Sequence, residues 1–265
     1  MQILTDLVYW RRGERSLALD LYVPERPRAT VIWVHGGEWL QGNKDNPPSA
    51  SLLVERGFAI ASISYRFSSE ALFPAQLEDC RSAVRWLRAN GNQYGVPTSS
   101  LGAWGASAGG HLVALLGTAA HVDAFDVGEH LDQPAHVQAV CDWFGPTDFL
   151  QMDANATDDS AIVHDAPDSP ESLLVGGPIQ EQLERVAEAN PISYVDGNPP
   201  PFLIIHGDRD RLVPCHQSEL LARALDDAGA EVEFVRLAGA GHGDGAFFTP
   251  EVAQQVIVFF QDHLL

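Results

Sequence analysis

The chain has 265 residues, 45% hydrophobic and 20% charged, which suits one large domain or two small ones and a core that needs no disulfide or metal staple. Sixteen basic residues against 36 acidic ones leave a net charge of −20, a field that repels phosphate backbones and anionic lipid and argues against nucleic acid or an acidic membrane as partner. No apolar run approaches the ~20 residues of a membrane helix, and the widely spaced Cys80, Cys141 and Cys215, with no CxxC pair, exclude a disulfide framework and a zinc site and read as buried free thiols, with a single bridge as the alternative.

Met1 to Arg12 lacks the apolar core of a signal peptide, so a cytoplasmic location is expected, with secretion behind a trimmed leader as the alternative. Ser16 to Val23 alternates Leu17, Leu19, Leu21 and Val23 with polar residues, the pattern of a half-buried antiparallel strand closed by Pro24. Thr30 to Val34 is a continuous β-branched and aromatic run ending at His35-Gly36-Gly37, as a buried central strand would be. Phe58 to Tyr65 follows as a second such strand. From Pro74 to Asn90, Leu77, Cys80, Val84 and Leu87 fall on one helical face, with proline at the start and Gly91 past the end. Leu101 to Trp104 reads as a strand and His111 to Ala120 as a helix apolar almost all round. Val137 to Phe144, Phe202 to Ile205 and Val232 to Leu237 continue the strands. Val213 to Ala228 and Glu251 to Leu264 supply the last helices.

Strands separated by helices of 10–17 residues predict one α/β domain over residues 1–265, with a mostly parallel sheet of about eight strands and helices on both faces. Residues 146–191 depart from this rhythm. They are rich in Asp, Pro and Ser, hold only short helical pieces, and read as a small cap or rim over one end of the sheet.

The chemistry concentrates at strand ends. Gly105-Ala106-Ser107-Ala108-Gly109 lies between a predicted strand and a predicted helix, where an abrupt turn stands the Ser107 hydroxyl clear at the helix N-terminus. A serine hydroxyl needs a base, and the base an orienting carboxylate. Gly239-Ala240-Gly241-His242-Gly243 offers the base in a loop of small residues after the last strand. His206-Gly207-Asp208-Arg209-Asp210 offers the acid, with Asp210 preferred over Asp208 because it lies deeper in the loop, and Asp148 as a third option. His206 reads as a structural, hydrogen-bonded residue and His111 as packing or capping. A tetrahedral oxyanion needs two N–H donors; Ala108 follows the serine, and His35-Gly36-Gly37-Glu38-Trp39 leaves a strand where the second donor arises in such folds. The order serine, aspartate, histidine, each at a strand's C-terminal end, implies a serine hydrolase.

These stretches resemble α/β-hydrolase esterases of the hormone-sensitive-lipase-like group, and more closely the short bacterial carboxylesterases that include bifunctional feruloyl and acetyl-xylan esterases. The shared segments are VIWVHGGEWLQGNK (31–44), ASISYRF (61–67), FPAQLEDCRSAVRWLRAN (73–90), GAWGASAGGHL (102–112), SPESLLVGGP (169–178), PPFLIIHGDRDRLVP (200–214) and GAGHG (239–243). The resemblance implies Ser107 as nucleophile, Asp210 as acid and His242 as base, with Gly36, Gly37 and Ala108 around the oxyanion and Glu38 and Trp39 beside the substrate. It implies no metal and no organic cofactor. Glu38 stands where many relatives have glycine or an aromatic residue, and a carboxylate there is expected to point away from the oxyanion.

The expected substrate is a small ester with a short acyl, aryl or carbohydrate group, and the expected state a monomer or homodimer. Of Phe67, Trp39, Trp104, Trp143, Phe144, Phe247 and Phe248, about two are expected to touch substrate. The competing readings are an amide hydrolase resembling kynurenine formamidase, a prolyl-oligopeptidase-type peptidase, disfavoured because no propeller precedes the domain, and a ligand-binding protein on a disabled hydrolase scaffold. The last is disfavoured because all three triad residue types are present.

Overall fold

The continuous apolar runs become the strands of one sheet because, buried on both faces, they need neighbours on both edges and helices above and below. The computed structural model describes all residues except Asn46, Ser49 and Gly197, and the side chains of all but these and Arg12 and Ala50. Eight strands make the sheet: β1 (Gln2–Arg12), β2 (Arg15–Val23), β3 (Ala29–Val34), β4 (Phe58–Ile63), β5 (Leu101–Ala106), β6 (Ala139–Trp143), β7 (Phe202–Gly207) and β8 (Val232–Leu237). Their spatial order is β1-β2-β4-β3-β5-β6-β7-β8. The β1–β2 and β2–β4 pairs are antiparallel, and every pair from β4 to β8 is parallel.

The helices are α1 (Ala50–Glu55), α2 (Ala75–Asn90), α3 (Ala108–Thr118), α4 (Pro170–Val175), α5 (Leu183–Ala189), α6 (His216–Asp227) and α7 (Pro250–Leu264). One core packs α2, α3 and α6 against the sheet through Leu77, Val84, Leu112, Leu115, Leu221 and Leu225. A second lies on the other face, where Leu53 and Val54 of α1 join Val256, Phe259 and Phe260 of α7. Cys80 and Cys141 are buried, Cys215 is partly buried, and all three are free. No helix among the described residues is long and apolar enough to cross a membrane.

Two elements escape sequence periodicity. In β1 the register shifts between Leu4 and Leu7 and again between Val8 and Trp10, so its apolar residues do not alternate cleanly. Helix α1 has six residues, too few for a 3.6-residue period to show. Expected boundaries also move: α3 begins at Ala108, directly after the serine, instead of at His111, α6 begins at His216 instead of Val213, and β6 spans Ala139–Trp143 instead of Val137–Phe144. Segment 146–191 holds α4, α5 and several 3₁₀ turns. It is tied to the sheet domain by the buried His111 ring on α3, whose Nε2–H donates to the Ala189 carbonyl at 2.6 Å.

Candidate active site

Because β3 to β8 run parallel, the segments leaving β3, β5, β7 and β8 emerge along the same edge of the sheet, where open α/β folds build their sites. Ser107 sits in the turn from β5 into α3 with φ 57° and ψ −124°, a strained conformation for a residue with a side chain. Close packing enforces the turn. A Cβ on Gly109 would lie 2.1 Å from the Val34 carbonyl oxygen, and one on Gly105 would lie 2.2 Å from the Gly109 carbonyl oxygen. The Ser107 N–H donates to the Trp143 carbonyl at 2.8 Å, which fixes the turn to β6. Ala108 and the residues after it bring the free N–H groups of a helix N-terminus beside the serine.

Asp210 lies in the loop after β7 with its side chain fully buried. His242, in the loop after β8, donates from Nδ1 to Asp210 Oδ2 at 2.6 Å. The Leu212 and Val213 N–H groups donate to Asp210 Oδ1 at 2.8 and 2.9 Å. His206 Nε2 stands 3.2 Å from Oδ2. Burial would raise the pKa of this carboxyl, but the His206 and His242 contacts outweigh it and hold it well below the usual carboxylate range. His206 is itself tied down, with Nδ1 2.7 Å from Ser218 Oγ and Nε2 2.9 Å from the Val213 carbonyl. It is the hydrogen-bonded structural residue expected, and what it supports is Asp210. The other acids are engaged elsewhere: Asp208 accepts from the Gly239 N–H at 2.7 Å, and Asp148 accepts from the Leu150 N–H and from Gln151.

Ser107, Ala108 and His242 line one cavity of about 360 Å³, together with Gly36, Gly37, Glu38 and Trp39 from the loop after β3. The size suits a small organic ligand. In that loop His35 Nδ1–H donates to the Gly36 carbonyl at 2.7 Å, and burial lowers the pKa of the ring, which keeps it neutral. A trans peptide points its N–H opposite its C=O, so holding the Gly36 carbonyl on His35 turns the Gly37 N–H the other way. The Gly37 carbonyl then accepts from the Leu40 and Gln41 N–H groups at 2.9 and 3.1 Å.

Glu38 and Trp39 both take positive φ, 59° and 58°. Glu38 is among the residues that line the cavity. Trp39 is buried edge-on to His111 and Phe149 at ring distances of 5.1 and 5.6 Å. Of the seven aromatics singled out in the sequence, Trp39 and Phe144 line the cavity, and Phe144 packs 4.5 Å from the His242 ring. Trp104, Trp143 and Phe247 belong to the second core.

The cavity also has a wall that sequence reasoning missed: Ile162, His164, Pro170 and Glu171 from segment 146–191, and Leu212 and Val213 after β7. The only signal for Glu171 is its place within SPESLLVGGP, one of the segments carrying the family resemblance. Among the described residues no group of three or more His, Cys, Asp or Glu side chains sits close enough together to hold a metal ion.

Comparison with known proteins gives this geometry its relatives. Esterase LipC of Mycobacterium tuberculosis is 31% identical over 261 residues, covering 96% of this chain and 61% of that protein. Esterase LipQ of the same organism is 32% identical over 90% of this chain and 56% of its own length, so the chain spans less than two thirds of either. A solved truncated form of a carbohydrate esterase from gut microbiota superposes with a TM-score of 0.88 at 32% identity, covering 99% of this chain and 96% of that one. A bifunctional GH43-CE protein of Bacteroides eggerthii gives the same TM-score at 33% identity over 98% of this chain and 35% of its own. The profile of the BD-FAE family matches residues 19–225, and with the sheet order and strand-end loops described above this shows that the chain belongs to the BD-FAE family and has the α/β-hydrolase fold.

Proposed function

We propose that this protein is a serine carboxylesterase that hydrolyses small esters through an acyl-enzyme, with Ser107 as nucleophile, His242 as general base and Asp210 as orienting acid. The observation that carries the reading is the 2.6 Å contact of His242 Nδ1 with a buried aspartate, made by a histidine that shares its cavity with a serine on a strained strand-to-helix turn. Asp210 fixes the Nδ1–H tautomer and leaves Nε2 as the acceptor. Nε2 takes the Ser107 proton as the hydroxyl oxygen attacks the ester carbonyl, and the N–H groups of Ala108 and Gly37 receive the oxyanion. The imidazolium gives its proton to the leaving alcohol. Water, deprotonated by His242, then attacks the acyl carbonyl, and Ser107 regains its proton as the acid departs.

The names of the 32–33% identical structural relatives, a carbohydrate esterase and a GH43-CE protein, support esters of carbohydrate alcohols as the substrate class. The mostly apolar cavity of about 360 Å³ favours short acyl groups such as acetyl. In this reading segment 146–191 is the rim of the site, since it supplies one wall. Ser107→Ala is expected to abolish p-nitrophenyl acetate hydrolysis, a loss of at least about 10³-fold in kcat, with an unchanged melting temperature. Turnover retained by the folded variant overturns the assignment.

A further inference from the structure

One wall of the cavity carries charge that the acyl-transfer steps do not use. Glu171, in the first turn of α4, and His164, ahead of that helix, both line the cavity, with side chains 4% and 1% exposed. His164 Nδ1 stands 3.1 Å from Glu171 Oε1, and Nε2 stands 3.0 Å from the Leu212 carbonyl. Nε2–H donates to the Leu212 carbonyl, while Nδ1 meets the carboxylate at ion-pair distance without hydrogen-bond geometry, so a proton on Nδ1 sets a positive charge against Glu171. Burial opposes that charge, but Glu171 first, then Asp153 and the Leu212 carbonyl, outweigh it and move the pKa of His164 up. The segment is fixed from behind, where the Asp153 carboxylate accepts the N–H groups of His164 and Asp165 at 2.8 Å each.

Glu171 Oε2 is the open end of this arrangement. It is buried and has no hydrogen-bond partner among the described residues. An unpartnered buried carboxylate oxygen is costly, and a cavity built around one gains from a ligand that brings a donor. The walls beside it are apolar, from Pro146, Ile162, Leu212 and Val213. His164 already faces Oε1 of this carboxylate, so what Oε2 lacks is a single hydrogen-bond donor, which a neutral hydroxyl supplies. At about 360 Å³, the cavity is small enough that a hydroxyl held there belongs to the same sugar-sized group as the scissile oxygen.

We propose that Glu171 Oε2 accepts a hydrogen bond from a free hydroxyl on the alcohol part of the substrate, with His164 holding the carboxylate in place, so that the site selects partly acylated polyols over esters of apolar alcohols. The proposal rests on the ester-hydrolase reading and adds to it the residue that chooses the alcohol.

The test compares cyclohexyl acetate, trans-2-hydroxycyclohexyl acetate and a monoacetylated methyl xyloside, with p-nitrophenyl acetate as the reference ester. The native enzyme is expected to favour the two hydroxylated esters in kcat/KM by about 10- to 100-fold, the range for a hydrogen bond to a charged group, mostly through KM. Glu171→Leu is expected to erase that preference, and Glu171→Gln, which keeps one acceptor oxygen, to reduce it in part. Equal kcat/KM for the native enzyme on the cyclohexyl pair overturns the proposal while leaving the esterase reading intact. So does a Glu171→Leu variant that loses the same factor on all four esters, since that is the signature of a merely structural residue. If Glu171→Leu does not fold, the native comparison and Glu171→Gln decide alone. No hydrolysis of any of the four esters overturns the esterase reading, and this proposal with it.

Discussion

His35 is a residue outside the proposed triad that is placed to act on the proposed chemistry. Its Nδ1–H holds the Gly36 carbonyl and thereby aims the Gly37 N–H, one of the two donors assigned to the oxyanion. The ring stacks on Tyr65 at 4.5 Å, and the Tyr65 hydroxyl donates to the His35 backbone carbonyl at 3.0 Å, so Tyr65 holds both the imidazole and the backbone that carries it. His35→Phe keeps the stacking and removes the donor. It is expected to lower kcat about 10- to 100-fold with little change in KM, less than the roughly 10²- to 10³-fold of losing an oxyanion donor outright because the Gly37 N–H is misaimed and not removed; steady-state kinetics showing an unchanged kcat would contradict that role. The Asp210–His242 contact and the shared cavity of Ser107 and His242 were legible in the sequence because each residue sits in a short motif of small residues after an apolar strand. The Glu171–His164–Leu212 wall was not, because its contacts join stretches 7 to 48 residues apart in a region without periodicity. The backbone course at Glu38 and Trp39 was equally hidden, since residue type alone does not announce two successive positive φ angles.

At the level of elements, the turn between β5 and α3 concentrates the packing constraint. Gly109 faces the carbonyl oxygen of Val34 so closely that no side chain fits, and the atom in the way is backbone, which cannot rotate aside. Gly109→Ala is therefore expected to cost about 3 kcal/mol, the upper end for overpacking, read as a lowered urea midpoint with an unchanged m-value. A variant as stable as the native protein would mean that β3 and α3 are packed less tightly than this. The inner parallel strands, such as β3, β4 and β7, were read correctly because burial on both faces leaves a largely apolar run. The start of α3 was misplaced by three residues because Ala108, Gly109 and Gly110 carry no helical periodicity, and the helix begins there to serve the serine. Strand β1 lay beyond pattern reading because its bulges scramble the alternation.

Over the whole molecule, two buried groups tilt stability with pH in opposite directions. Asp142 accepts one hydrogen bond, from the Gly145 N–H at 2.9 Å, and burial raises its pKa from 3.8 to about 7. Between these values the folded chain keeps a proton that the unfolded chain releases, so rising pH erodes stability. Burial lowers the pKa of His111 from 6.5 to about 4, against the pull of its bond to the Ala189 carbonyl. In that window the unfolded chain takes up a proton that the folded one refuses, so falling pH erodes stability. Asp142→Asn is expected to gain stability over the native protein increasingly from pH 4 to 7, and His111→Gln increasingly from pH 6.5 down to 4. Urea unfolding across that range checks both, and a pH-independent difference for either variant contradicts the burial argument. The central claim, that three distant strand-end loops assemble an activated Ser107, is tested most directly by treating the native protein with a fluorophosphonate and mapping the adduct by peptide mass spectrometry. The account predicts a single stoichiometric adduct on Ser107 that His242→Ala greatly slows; no adduct, or one on another residue, contradicts it.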